Sequence, residues 1–169
     1  MPRLAPLVDI AGYHADATAS LQLYYSNSHA GYDLRFAAYR PREVAEEFAE
    51  RMEETEMRSA LVVLARVEAA FRQDYKVRGK SKKADPISVG LRNVFRARGD
   101  RARLEDEILE AWRQHVEPSD RAYISQLRGM FKYRHWLAHG RYWEPGRQHA
   151  FDDVYLLADT IFSSFDFET

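Results

Sequence analysis

Arg134 and His139, with His135 beside the arginine and Gly140 closing the stretch RHWLAHG, carry the clearest potential for chemistry in this chain. Histidine, whose unperturbed pKa is roughly 6.5, gives or takes a proton near neutrality. Arginine stays cationic and forks onto two phosphate oxygens. Together they suit cleavage of RNA by its own 2′-hydroxyl, which needs proton transfer and a stabilised phosphorane but no metal. DNA lacks that nucleophile, so the pair selects RNA. On a regular helix, five residues of separation turn two side chains apart by about 140°. Arg134 and His139 therefore converge only if the helix end distorts near Gly140, or if a second subunit brings its own pair across. His135 and His139, at i and i+4, share a helical face and have metal-ligand spacing. No nearby carboxylate completes such a site, and Glu144 lies beyond the glycine, so no metal or other cofactor is expected.

Glu68 is the fourth candidate. Like Arg134, it interrupts an apolar helical stripe, and a buried charge is costly unless paired and hydrogen-bonded. The two are expected to face a partner, a cleft or each other. An internal Glu68–Arg134 pair would orient two helices, and the same carboxylate would hold a catalytic arginine in place.

These residues need helices to position them. Pro41 fits the start of a helix, and no further proline or glycine follows until after Val77. Leu61, Leu64, Ala65, Phe71 and Tyr75 fall on one face of it around Glu68. The apolar pattern fades over residues 53–57, where a break is expected. A short helix is expected from Ala15 to Tyr25, with residues 1–14 extended or loosely docked and 26–31 a turn. After the loop RGKSKKADP, helices are expected from Ile87 to Arg98, capped by Gly99, and from Asp100 to about His115. The motif helix runs from Asp120 to His139 and carries Tyr123, Leu127, Met130, Phe131, Arg134, Leu137 and Ala138 on one face. Gly140 fits the left-handed position after its end. A last helix spans about Gln148 to Phe165. No stretch alternates with period two, so the fold class is all-α, a compact bundle of five or six helices.

Composition bounds the rest. A chain of 169 residues without cysteine excludes disulfides and thiolate metal sites, and suits one domain in a reducing compartment. The expected domain is 1–169, with its core at about 41–165 and residues 1–40 an extension bearing a short helix. No apolar run is long enough to span a membrane and no signal-peptide core is present, so the expectation is a cytoplasmic protein with no membrane partner. The net charge of −1 conceals sign asymmetry: residues 42–58 hold seven glutamates and residues 76–83 five cations. Lys76, Arg78, Lys80, Lys82 and Lys83 are candidate RNA-guiding residues. Trp112, Trp136 and Trp143 are expected to pack rather than stack on bases. Gly129, inside the motif helix, points to close approach by another helix.

Arg134-His135-Trp136-Leu137-Ala138-His139, an R-x4-H string followed by Gly140, resembles the R-x4–6-H motif of the HEPN superfamily, and FKYRHWLAHGRYW is similar to its setting in bacterial members. Arg128 and His135 also fit the bare pattern, but Arg134 has the stripe position, the LAHG ending and the strong helix that follows. Glu68, in ARVEAAFR, resembles the acidic residue many members carry on an earlier helix. The resemblance implies an α-helical, metal-independent endoribonuclease of a toxin–antitoxin, phage-defence or RNA-processing system. It implies that Arg134 and His139 are the catalytic pair, in a composite site at a homodimer interface. His135 takes a position that is often asparagine in the family, where it would contact phosphate or carry a second proton. An antitoxin or a nucleotidyltransferase is an implied partner beside RNA. Arg141 stands where some members carry a modified tyrosine, with Tyr142 after it. Both are carried as RNA contacts, and the modification is not carried over. The alternative is a non-catalytic helical module that binds RNA or protein.

Overall fold

The computed structural model describes residues 5–141 and 146–168, and the described residues form helices without a strand. In chain order these are α1 (Leu7–Tyr24), α2 (Tyr32–Arg35), α3 (Pro41–Lys80), α4 (Pro86–Arg98), α5 (Leu109–His115), α6 (Arg121–Ala138) and α7 (Phe151–Ser164). A 3-10 turn at Gly99–Arg101 and a π turn at Leu104–Ile108 join α4 to α5. The all-α expectation holds. α3 is the axis of the bundle, packed against α1, α4, α6 and α7.

α3 begins with Pro41 in its first turn and Glu43 accepting the Arg40 N–H at 2.7 Å. Its forty residues run without the expected break at 53–57. That stretch is rich in residues that favour helix, and ion pairs one turn apart stitch its surface. These are Arg42–Glu46 at 2.7 Å, Arg51–Glu47 at 3.9 Å and Arg58–Glu54 at 2.8 Å. The apolar pattern fades because other elements dock there through polar groups. Glu56 accepts the Phe151 N–H at 3.0 Å and lies 3.2 Å from His14 Nε2. The buried stripe follows Ala60, Val63, Leu64, Val67, Ala70, Phe71 and Tyr75, while Leu61 is half-buried and Ala65 exposed.

α1 starts eight residues before the expected Ala15. Only Ile10 on it is fully buried, so its apolar periodicity is faint, yet Ile10 belongs to the same core as α3 and α7. His14 fixes it there, with Nδ1 2.9 Å from Ser59 Oγ and its ring stacked 3.9 Å from Phe151. Asp85 caps α4 by accepting the Ser88 N–H at 2.9 Å. Gly99 ends α4 at φ +56°, and Asp100 falls in the 3-10 turn instead of opening a helix. Both Glu107 and Ile108 donate to the Arg103 carbonyl, at 3.2 and 3.1 Å, which widens the turn before α5.

The chain's end closes the core. Trp112 stacks on Phe165 at 5.2 Å, and Phe71 meets Phe167 edge-on at 4.9 Å. Beneath them Asp74 accepts from Arg78 Nε (2.7 Å), Trp112 Nε1 (3.1 Å) and the Glu168 N–H (2.8 Å). Arg78 also donates to Asp85 at 3.0 Å, to Ser88 Oγ at 2.9 Å and to the Asp166 carbonyl. A buried ion pair is tolerated when hydrogen bonds replace the lost water, and here Asp74 accepts three and Arg78 donates four.

Candidate active site

Glu68 and Arg134 reach the same place from two helices. Glu68 stands about two thirds of the way along α3 and Arg134 in the last turn and a half of α6. Arg134 Nη2 lies 2.7 Å from Glu68 Oε2, with side-chain exposures of 31% and 16%. Arg72, one turn after Glu68, donates its Nε to Oε1 at 2.7 Å. The contact to Oε2 is off hydrogen-bond alignment: Oε2 and Arg134 Nε are both enclosed and have no hydrogen-bond partner. The carboxylate thus anchors the guanidinium by charge while leaving it donor capacity for another oxygen.

This pair lies in a cleft of about 430 Å³ lined by Arg72, Arg103, Leu104, Glu105, Asp106, Phe131 and His135 as well. Arg103 is bound to Asp106 at 2.9 Å, so the cleft mixes both signs. Its far wall is the π turn, a distortion that often accompanies functional sites. Arg128, the other arginine that fits the motif spacing, is held by Glu110 at 2.8 Å and the Glu105 carbonyl at 2.7 Å.

His139 occupies a different position. α6 stays regular to Ala138, His139 caps it, and Gly140 follows at φ +86°. The Arg141 N–H returns to the Trp136 carbonyl at 3.2 Å, which completes a Schellman closure. The helix end is therefore not distorted in the way that would bring Arg134 and His139 together. His139 is exposed and does not line the cleft, but its ring lies 4.2 Å from that of His135, which does. The chain brings together Glu68, Arg134 and His135, with His139 one ring further out.

The candidate RNA contacts scatter. Arg78 is removed from the basic patch: its side chain is 3% exposed and serves the buried network under the C-terminal residues. Lys83 contacts Glu168, and Lys76 lies 3.5 Å from Asp100. Lys80 and Lys82 are exposed. Arg141, at φ +57°, is bound to Glu54 at 2.6 Å, which holds the Glu54 carboxyl below its ordinary value. Tyr142 and Trp143 lie outside the described residues. Trp112 and Trp136 are buried, as packing residues should be. Gly129 meets nothing within 4 Å in this chain, so no helix of the same chain approaches it.

Sequence reasoning missed Arg72, Arg103 and the π turn. Arg72 had a signal, its i+4 spacing from Glu68. The π turn had none, because LEDEI reads as ordinary helix. Among the described residues no helix is long and apolar enough to cross a membrane, and no cluster of three or more His, Asp or Glu is placed to hold a metal ion. In comparison with known proteins, no family model matches the chain, and no curated protein or solved structure matches it.

Proposed function

We propose that this protein is a HEPN-like, metal-independent endoribonuclease, active as a homodimer and serving as a toxin or phage-defence effector. The 2′-oxygen of one ribose attacks the adjacent phosphorus, the bond to the 5′-oxygen breaks, and a 2′,3′-cyclic phosphate remains. His139 takes or supplies the proton that this exchange requires. Arg134, oriented by Glu68, stabilises the charge on the phosphorane oxygens. His135 contacts the phosphate or relays a proton.

The observation that carries this reading is the Glu68–Arg134 ion pair at 2.7 Å inside a cleft that His135 also lines, with His139 beside it. RNA cleavage in the presence of EDTA tests it. His139→Ala and Arg134→Ala, each checked by circular dichroism, are expected to lower the rate by about 10²- to 10³-fold. Cleavage that disappears with chelator, or survives both substitutions, would sink the mechanism. A second reading, a non-catalytic module for RNA or protein, draws on the position of His139 outside the cleft. It requires folded protein that binds its partner and leaves no cyclic phosphate ends.

A further inference from the structure

A cluster of cations without acidic partners among the described residues lies away from Arg134. Where α3 ends and α4 turns back, a cleft of about 400 Å³ is lined by Gly79, Lys80, Ser81, Lys82, Arg92 and Arg96. It has four cations and no carboxylate. Among the described residues none of the four takes part in an ion pair, although nearly every other arginine near α3 is matched to an acid. Arg92 donates to the Ser81 and Lys83 carbonyls at 2.7 and 3.0 Å, which fixes the loop without spending its charge. On a chain of net charge −1, four unmatched cations around one concavity focus the field on an anion.

That cleft and the Arg134 cleft are separate concavities that both draw residues from α3. Arg72, Lys76 and Lys80 follow Glu68 at steps of four along α3, a row that winds by about 40° per step. α4 runs back alongside, with the Tyr75 hydroxyl donating to the Gly99 carbonyl at 2.8 Å and Lys76 lying 3.5 Å from Asp100. The chain then reaches Arg103, which lines the Glu68–Arg134 cleft. Lys80 and Glu68 are separated by about 18 Å along the helix axis. At a rise of ~3.4 Å per nucleotide of one strand, that is about five nucleotides.

We infer that the Lys80–Lys82–Arg92–Arg96 cleft is the docking site for the phosphodiester backbone of single-stranded RNA, several nucleotides from the bond cut beside Arg134. RNA as the occupant rests on the nuclease reading above; the docking surface rests on the charges and their placement. Dinucleotides cannot span the two clefts, whereas a twelve-nucleotide strand can.

The test uses the triple variant Lys80→Glu, Lys82→Glu, Arg96→Glu, all exposed positions, with the triple alanine variant as a milder companion, and each one's melting temperature compared with wild type. Binding is read by anisotropy with a 2′-O-methyl twelve-mer, which cannot be cleaved. Wild type is expected to bind with a steep salt dependence. The charge-reversed protein should bind at least tenfold more weakly, with the slope of log K against log salt shallower by about two, since each lost phosphate contact on a single strand contributes about 0.7. Cleavage of UpA by the variant should match wild type. If the variant binds the twelve-mer as wild type does, the docking site is overturned while the nuclease reading stands. If wild type cleaves no RNA but the variant shows the same loss of binding, the nuclease reading fails and the docking site stands. Wild type that ignores the twelve-mer but cosediments with phosphatidylserine vesicles overturns it in favour of a lipid surface.

Discussion

Glu68 has two cations on one carboxylate, and its removal separates two roles. In Glu68→Gln, Arg72 retains a carbonyl acceptor but Arg134 loses its counter-charge inside the cleft. The pair is partly exposed, so screening reduces its worth, and a loss of about 1–2 kcal/mol is expected. For a chain of this size that is roughly 2–8 °C in melting temperature. The catalytic effect should exceed the stability effect, with kcat falling more than KM rises, because a guanidinium no longer held in place stabilises the phosphorane less. A loss confined to KM would count against a positioning role. Arg78 makes the contrast. Arg78→Ala leaves Asp74 buried without its cation and should cost about 3–5 kcal/mol, measurable by urea denaturation, whereas the same change at exposed Lys82 should be nearly silent.

At the scale of elements, helix contacts set both stability and its pH dependence. Glu110 on α5 is held by Arg113 on its own helix and by Arg128 on α6, with Gln114 assisting, and these donors pull its carboxyl down from 4.5 to about 2. A carboxyl depressed in the folded state contributes stability that is complete above its unfolded value and is lost as pH falls through the folded one. Denaturation midpoints should therefore drop between about pH 4.5 and pH 2, and Glu110→Gln should remove part of that drop. Two glycines separate close packing from open space. A Cβ on Gly79 would lie 2.6 Å from the Phe95 ring, so Gly79→Ala should destabilise the α3–α4 junction by about 1–3 kcal/mol. Gly129→Ala meets nothing and should stabilise the isolated chain by up to ~1 kcal/mol. Much of this was legible beforehand: α6 and its stop at Gly140 follow from period, and cost of burial left Glu68 and Arg134 to face a partner, a cleft or each other. The loop read from Arg78 begins only after Lys80, because Arg78 is buried in the last turn of α3. Two features hid. The start of α1 was invisible because one buried residue, Ile10, carries no periodicity, and the continuity of α3 because its polar stretch docks partners through Glu54 and Glu56 instead of apolar side chains.

At the scale of the whole molecule, His139 is not among the described residues that line the Arg134 cleft, and α6 is regular up to its cap. The dimer in our proposal then acquires a chemical duty, to supply the histidine for its partner's arginine. Mixing His139→Ala with Arg134→Ala protein, each expected to be impaired alone, should restore cleavage through heterodimers that hold one intact pair across the interface. Sedimentation should find dimers in the same concentration range. No recovery in a mixture shown to exchange subunits would place both residues in one chain and remove the composite site.

The clasp on Arg78 and Asp74 has a consequence in time. Its last donors and acceptors, the Glu168 N–H and the Asp166 carbonyl, come from residues synthesised some ninety positions after Arg78. Until they are made, Asp74 and Arg78, in the last two turns of α3, have each other but lack the Glu168 N–H and the Asp166 carbonyl. At about 5–20 residues per second those positions take roughly 5–18 seconds. During that interval the end of α3 holds its internal Asp74–Arg78 pair with these two outer hydrogen bonds still unmade.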